Sequence, residues 1–489
     1  MTDLEILRQI NDEAKNKPME HYTKRKGLHL GTVVRLPIKR HISKIEEYHL
    51  PYNVRGGHLG CFGTTGIGKS RFMSHMVYQD ICAGLNVLLF DPKGDDALLP
   101  KVIQAAAETG RLDELMYVSP IYPDASMKIN PLTYFYMPDE LVHHVVSGIR
   151  SEEEFFENIA TNITSVVVTG LIALQTANNQ PLKINLMDLK RKITHKDVNE
   201  FVEVLRGIQN HPDAKVRELV EDALTAVSHI SQYPQEFFSK ISASLGTVLA
   251  QLTSSTTGQI IGRTYRNEFI KRLEEGKRFI LVLNAGSLLT AETARVIARM
   301  FMSTVQATIG RVLASGRTFD PPLSIYMDEG HSILYNGIEE MFSKGRSANV
   351  YLHFFTQSMS YMEDEVGEKT TQSIMDNINT WIFMRCNHEK TAKYIEDSSP
   401  LTMRMRTTVN MGGGSMSLIS KEDEERVILK ERVLRLKPRF FYLRVAGEYY
   451  SGRVPEVADP LIKLSYPKVS QAGNAVQIDE EDEEHEATA

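Results

Sequence analysis

Eight consecutive residues, Gly63, Thr64, Thr65, Gly66, Ile67, Gly68, Lys69 and Ser70, fit the spacing G-x-x-x-x-G-K-[ST] that wraps the phosphates of a nucleoside triphosphate. The residue types follow from the chemistry. Glycines let successive backbone N–H groups turn inward onto phosphate oxygens, which side chains would block. Lys69 is placed to reach the β- and γ-phosphates, and the Ser70 hydroxyl to sit on Mg²⁺. With Arg71, the next residue along, they form the candidate cradle. A second group closes the apolar run Leu323-Ser324-Ile325-Tyr326-Met327 with Asp328-Glu329. Downstream of a phosphate loop, such an aspartate holds Mg²⁺ and the glutamate orients or deprotonates the attacking water.

Three further features leave two readings open. Gln357, at the tip of the apolar run 350–355, either senses the γ-phosphate or is an ordinary strand end. Arg346 either enters a neighbouring subunit's site as an arginine finger or is a surface residue. Asp91-Pro92-Lys93-Gly94-Asp95 follows the run Asn86-Val87-Leu88-Leu89-Phe90, at the carboxyl end of an expected parallel strand, where such sheets bind ligands. It is either part of the site or a bare turn.

The elements that must position these groups alternate as an α/β fold. Residues 58–62 read as a short buried strand and 71–81 as a helix whose N-terminus faces the phosphates. Strands follow at 86–90, 114–118, 278–283, 323–329, 350–355 and 381–385, with a helix over 139–146 and a long one from Thr290. Residues 440–450 resemble a closing hairpin around Ala446-Gly447, and 398–420 read as a mobile loop. Between about 184 and 261 the apolar spacing is helical only, at 196–205, 214–230 and 234–252. Such an insertion accounts for the long separation of Lys69 from Asp328. The expected division is a leader, 1–50; a nucleotide-binding domain in two parts, 51–183 and 271–465; an all-α insertion, 184–270; and an acidic tail, 466–489.

The 489 residues exceed one compact core. The formal net charge of −6 is carried by the tail, whose seven acids are Asp479, Glu480, Glu481, Asp482, Glu483, Glu484 and Glu486; without them the body stands at +1. Nucleic-acid contact must therefore come from local patches. Two candidates are Lys24, Arg25, Lys26, Lys39, Arg40 and His41 in the leader, and Lys183, Lys190, Arg191, Lys192, His195 and Lys196 at the entrance to the helical part. Three cysteines, Cys61, Cys82 and Cys386, match no metal or redox spacing and suit a cytoplasmic protein. The uncharged run 158–182 has an apolar centre of about a dozen residues and reads as a core helix, because a membrane span takes about 20.

Taken together these motifs resemble the coupling-protein ATPases of bacterial conjugation and type IV secretion, the TraG/TraD-like branch of the HerA–FtsK group of DNA pumps. The resemblance runs from about Gly31 to Pro455 and rests on residues 63–70, Asp91 to Asp95, Asn130-Pro131-Leu132, Met327-Asp328-Glu329, Gly345-Arg346-Ser347, Thr356-Gln357-Ser358 and Asn377-Ile378-Asn379. It implies a RecA-like P-loop nucleotide-binding domain interrupted by an all-α domain, binding ATP with Mg²⁺ between subunits of a homo-hexameric ring around a DNA channel. Lys69, Ser70, Asp328 and Glu329 match the family's catalytic set, Gln357 its third motif, and Arg346 the arginine finger acting in trans. The implied role is to take a relaxase-bound DNA strand, single-stranded, into the secretion channel. Family members usually begin with transmembrane helices. None is evident here, which implies docking on a separate membrane partner, peripheral to the inner membrane, or a soluble ring. Competing readings are a soluble DNA-processing pump and a nucleotide-gated protein that docks secreted proteins. A GTPase switch is disfavoured: no N-K-x-D element occurs, and Asp328 lacks the D-x-x-G spacing.

Overall fold

The computed structural model of the chain describes residues 3–17, 22–38, 43–94, 98–149, 154–231, 235–287, 289–412 and 415–464. The acidic residues after Ile478, together with Asp95, Lys39, Arg40 and His41, lie outside them.

The strands in chain order are β1 (Leu28–Arg35), β2 (Ile45–Leu50), β3 (Leu59–Phe62), β4 (Asn86–Phe90), β5 (Leu115–Val118), β6 (Ile280–Leu283), β7 (Leu323–Met327), β8 (Val350–Thr356), β9 (Thr380–Phe383), β10 (Leu401–Gly412), β11 (Ser415–Arg426), β12 (Phe440–Val445) and β13 (Glu448–Arg453). Eleven of them form one sheet in the order β2-β1-β13-β12-β9-β3-β8-β7-β4-β6-β5. From β9 to β5 every neighbour is parallel, and from β12 to β2 every neighbour is antiparallel. The parallel strands β3, β4, β6, β7, β8 and β9 are buried at every position, which explains their unbroken apolar runs.

Two expectations are corrected here. Residues 28–50 are no separate leader: β1 pairs with β13 from Thr32↔Arg453 to Arg35↔Tyr450, and β2 edges the sheet. The stretch 398–420 is largely a two-stranded ribbon, β10 with β11, in register from Leu401↔Arg426 to Gly412↔Ser415. Leu401, Met403 and Met405 are exposed, so the first residues of β10 offer no core-facing stripe for a sequence reading to detect.

Between β5 and β6, after a mainly non-helical stretch that ends at Met137, the described chain is helical apart from short connections. Helix Glu154–Ala177 packs against Ala214–Ser231 and Gln235–Thr253, burying Ile163, Val166, Val167 and Val168. It starts well before residue 184, where the sequence places the insertion. Over Glu157–Ala177 this helix is long and apolar enough to cross a membrane by length and composition, yet two thirds of it (67%) is buried inside the protein.

A buried ionic group locks the centre of the sheet to the helix that follows β3. The Arg55 guanidinium donates to both carboxylate oxygens of Asp80 (2.8 and 2.6 Å) and lies 2.9 Å from His353 Nε2. The Tyr326 hydroxyl also donates to Asp80 (2.6 Å). Helix Lys69–Cys82 is thereby tied to β7 and β8 at once.

Candidate nucleotide site

Between the end of β3 at Phe62 and helix Lys69–Cys82, residues 63–68 form the turn. Gly66 and Gly68 sit at φ 74° and 106°, where L side chains are strained. A Cβ on Gly66 would meet nothing within 4 Å, so its backbone angle and not crowding is what calls for glycine there. The first-turn N–H groups of Lys69, Ser70 and Arg71 have no carbonyl within their own helix, and with the turn they make an anion cradle. The root of the loop is anchored: Gly63 N–H donates to Thr356 C=O (3.1 Å) and Thr64 N–H to Arg385 C=O (2.8 Å).

Strand order assembles the rest. β8 lies between β3 and β7, and β4 flanks β7 on its other side. The carboxyl ends of four adjacent parallel strands therefore present Lys69 and Ser70, then Gln357, then Asp328 and Glu329, then Lys93. Lys69 Nζ donates to the carbonyls of Gly63 (2.5 Å) and Thr64 (3.1 Å). Burial lowers its pKa, opposed by nearby groups that include Asp328. Ser70 Oγ donates to Asp328 Oδ2 at 3.1 Å. Burial raises the Asp328 pKa, opposed by Lys93 and Lys69. One hydroxyl and one carboxylate, beside an open anion cradle, suit Mg²⁺, which takes few protein oxygens and completes its shell with phosphate and water.

Glu329 adopts a left-handed backbone (φ 45°, ψ 47°), a costly conformation for a residue with a side chain. Its Oε1 accepts from Gln357 Nε2 (3.4 Å) and pairs with Lys93 Nζ. Burial works against the Lys93 charge, but Glu329 outweighs it and its pKa is raised.

Of the sequence-predicted residues, the fold brings together Gly63, Thr64, Thr65, Gly66, Gly68, Lys69, Ser70, Asp328, Glu329 and Gln357. Ile67 contributes backbone only: its side chain is fully buried in the core, and its carbonyl accepts from Arg439 N–H (3.2 Å). Arg71 likewise offers its N–H, while its exposed guanidinium pairs with Asp459 (2.9 Å). Arg346 stands apart. It precedes β8 whereas Gln357 follows it, so the length of that strand, about 20 Å, separates Arg346 from its own phosphate loop. It is exposed and lines, with Asn53, Asp376, Asn379 and Arg444, a cavity of about 520 Å³.

Two residues of the site escaped a definite reading. Lys93 was signalled only by the Asp-Pro-Lys-Gly turn at a strand end. Asn387, whose Nδ2 donates to Thr64 Oγ1 (3.1 Å), carried no signal, since its place depends on β9 lying beside β3.

Comparison with known proteins gives matches to families and to folds. A family described as "Helicase HerA, central domain" matches residues 52–358. Another, described as "TraM recognition site of TraD and TraG", matches 322–438. Among solved structures, the conjugative coupling protein TrwBdeltaN70, in an unbound form, is 15% identical with a TM-score of 0.62 and covers 94% of each chain. TrwB in complex with ADP and Mg²⁺ is 16% identical with a TM-score of 0.57, covering 84% of this chain and 89% of that one. VirB4 of Thermoanaerobacter pseudethanolicus is 11% identical with a TM-score of 0.50, covering 88% and 96%. At these identities the likeness is one of fold, a RecA-like P-loop architecture. No curated protein sequence matches the chain.

Proposed function

Because the chain belongs to the HerA helicase family, in its TraG/TraD-like coupling branch, we propose that it hydrolyses ATP to move DNA into a type IV secretion channel. The observation that carries the reading is the convergence of Lys69, Ser70, Asp328, Glu329 and Gln357 at the tips of three neighbouring strands. TrwB, with the same fold, takes ADP with Mg²⁺ and an ATP analogue.

In this reading the 63–71 backbone holds the phosphates, and Lys69 leaves the Gly63 and Thr64 carbonyls for the β- and γ-phosphates. Ser70 and Asp328 hold Mg²⁺, which when bound offsets the charge on those phosphates. Glu329 takes a proton from water as its oxygen bonds to the γ-phosphorus and the bond to ADP breaks. Gln357 follows the γ-phosphate from the next strand. Arg346 is too far from its own loop to take part, so it serves the neighbouring subunit of a homo-hexameric ring. We divide the chain into two parts of a nucleotide-binding domain, with β1 and β2 counted in the first, around a helical insertion that runs from Glu154 to Glu274. The ring encloses single-stranded DNA delivered with its relaxase.

The test is ATPase activity with and without single-stranded DNA. DNA should accelerate the wild type, and Lys69→Ala and Glu329→Gln should each abolish turnover, the latter with ATP binding intact. Arg346→Ala mixed with Lys69→Ala should recover activity in mixed rings. A wild-type rate indifferent to DNA, with tight binding of a secreted protein, would replace the pump with a docking ATPase.

A further inference from the structure

The turn after β4 is built to hold one side chain in place. Asp91 is buried, and its Oδ1 accepts the Gly94 N–H (2.9 Å). Pro92 C=O accepts the Ser287 N–H (2.7 Å). Gly94 sits at φ +73°, and a Cβ there would lie 2.7 Å from Asn284 Nδ2, so no other residue fits without displacement. The residue this turn carries is Lys93. Because β4 and β7 are paired as far as Phe90↔Met327, Lys93 emerges beside Glu329.

The contact is asymmetric. Lys93 and Gln357, from the strands on either side of β7, both engage Oε1 of Glu329. Among the described residues no hydrogen bond reaches Oε2. A glutamate that must accept a proton from water needs one oxygen free and aimed, and a flexible side chain on a strained backbone does not aim itself. Resting on the hydrolytic reading above, we infer that Lys93 is a positioning residue for Glu329, fixing Oε1 so that Oε2 faces the attacking water. The Asp-Pro-Lys-Gly turn is then the fixed mount of this clamp.

The geometry separates this role from two others. A lysine that grips the γ-phosphate would lose nucleotide affinity when removed. A lysine that restrains Glu329 from acting would, when removed, speed hydrolysis. A positioning lysine changes the chemical step alone, and only while Glu329 is there to be positioned.

The experiment compares wild type, Lys93→Met, Lys93→Arg, Glu329→Gln and Lys93→Met/Glu329→Gln. It measures ATP hydrolysis, the Kd for a non-hydrolysable ATP analogue with Mg²⁺, and nucleotide-free melting temperature. Lys93→Met should lower kcat by about tenfold or more while KM, analogue Kd and melting temperature stay within error. Lys93→Arg should restore most of kcat, since it keeps the charge and reach. In the Glu329→Gln background, Lys93→Met should cost nothing further in residual rate. Weakened analogue binding, a raised kcat, or an undiminished loss in the double variant would each overturn the inference. A wild type that hydrolyses ATP and loses it in Glu329→Gln, yet is indifferent to Lys93→Met, sinks this inference alone. A wild type that does not hydrolyse ATP sinks the proposed function.

Discussion

Replacing Asp80 by asparagine should destabilise the sheet-forming part of the chain by roughly 3 kcal/mol. Asp80 and Arg55 have side chains 1% and 0% exposed, so water cannot take over a lost contact. Asp80 Oδ1 accepts from one Arg55 nitrogen, while Oδ2 accepts from the other and from the Tyr326 hydroxyl. Asparagine supplies one acceptor and one NH₂. If its oxygen serves Tyr326 and one guanidinium nitrogen, its NH₂ must face the other nitrogen, donor against donor. One charge-assisted hydrogen bond is lost, worth about 1.5–3 kcal/mol. The same loss leaves Arg55 buried with no counter-charge, which in comparable pairs costs about 3–5 kcal/mol with the hydrogen bond included; keeping the amide's one good acceptor puts this change at the low end.

Urea unfolding followed by fluorescence is the direct assay. Trp381 is the chain's only tryptophan, fully buried and stacked on Phe62 (4.7 Å between rings), so its emission reports this sheet. Arg55→Met should also be costly, and the two changes together should cost less than their sum, because each removes the other's partner. pH gives a second arm. Burial pushes the Asp80 carboxyl up, but Arg55 more than offsets this and holds its pKa below the ordinary value. The pair's contribution is therefore full above the ordinary carboxylate pKa and is lost as pH falls through the lowered one. In Arg55→Met the main opposition to burial is gone, with the Tyr326 hydroxyl and His353 still favouring the carboxylate, so that variant's deficit should shrink as pH falls toward 4. A loss under about 1 kcal/mol for Asp80→Asn, or a strictly additive cycle, would refute the account.

Ile67→Ala should cost about 2–4 kcal/mol, read as a lowered urea midpoint, because a fully buried isoleucine leaves a cavity. Affinity for a non-hydrolysable ATP analogue should hold within about threefold, since the cradle there is backbone. His58 is buried with Nε2 donating to Phe342 C=O (2.9 Å) and Nδ1 accepting from Leu352 N–H (3.2 Å), a neutral ring satisfied on both sides. Burial pushes its pKa down to about 4. Its contribution is present above the unfolded pKa of about 6.5 and shrinks as pH falls toward 4, the loss reaching about 2 kcal/mol by pH 5. Denaturation midpoints at pH 7 and pH 5 should differ more for the wild type than for His58→Asn, which cannot titrate.

Where the sequence was readable, its signal was local or repeated. The β4, β7 and β8 runs are apolar throughout because both faces are covered, and helix Ala291–Ala314 announces itself over six turns. Strand β1 was hidden because its partner β13 lies some four hundred residues away, and edge strand β2 because Ile45, Glu46 and Glu47 are all exposed and show no alternation. The ribbon β10–β11 was hidden because Leu401, Met403 and Met405, at its start, are exposed and mark no core-facing side.

The sequence by itself determined the phosphate loop, the Asp-Glu strand end and the α/β alternation. Each is chemistry of neighbouring residues: N–H groups in one turn, a carboxylate pair on one strand, a repeat along one element. Tertiary structure decided who meets whom. Inserting β8 between β3 and β7 puts Gln357 on Glu329; seating β4 beside β7 brings Lys93 to the same carboxylate; and the direction of β8 sends Arg346 to the far end, away from the loop of its own chain. Strand order and direction follow from how eleven strands and their covering helices bury a core on each face of the sheet, a sum over the whole chain that no local stretch records.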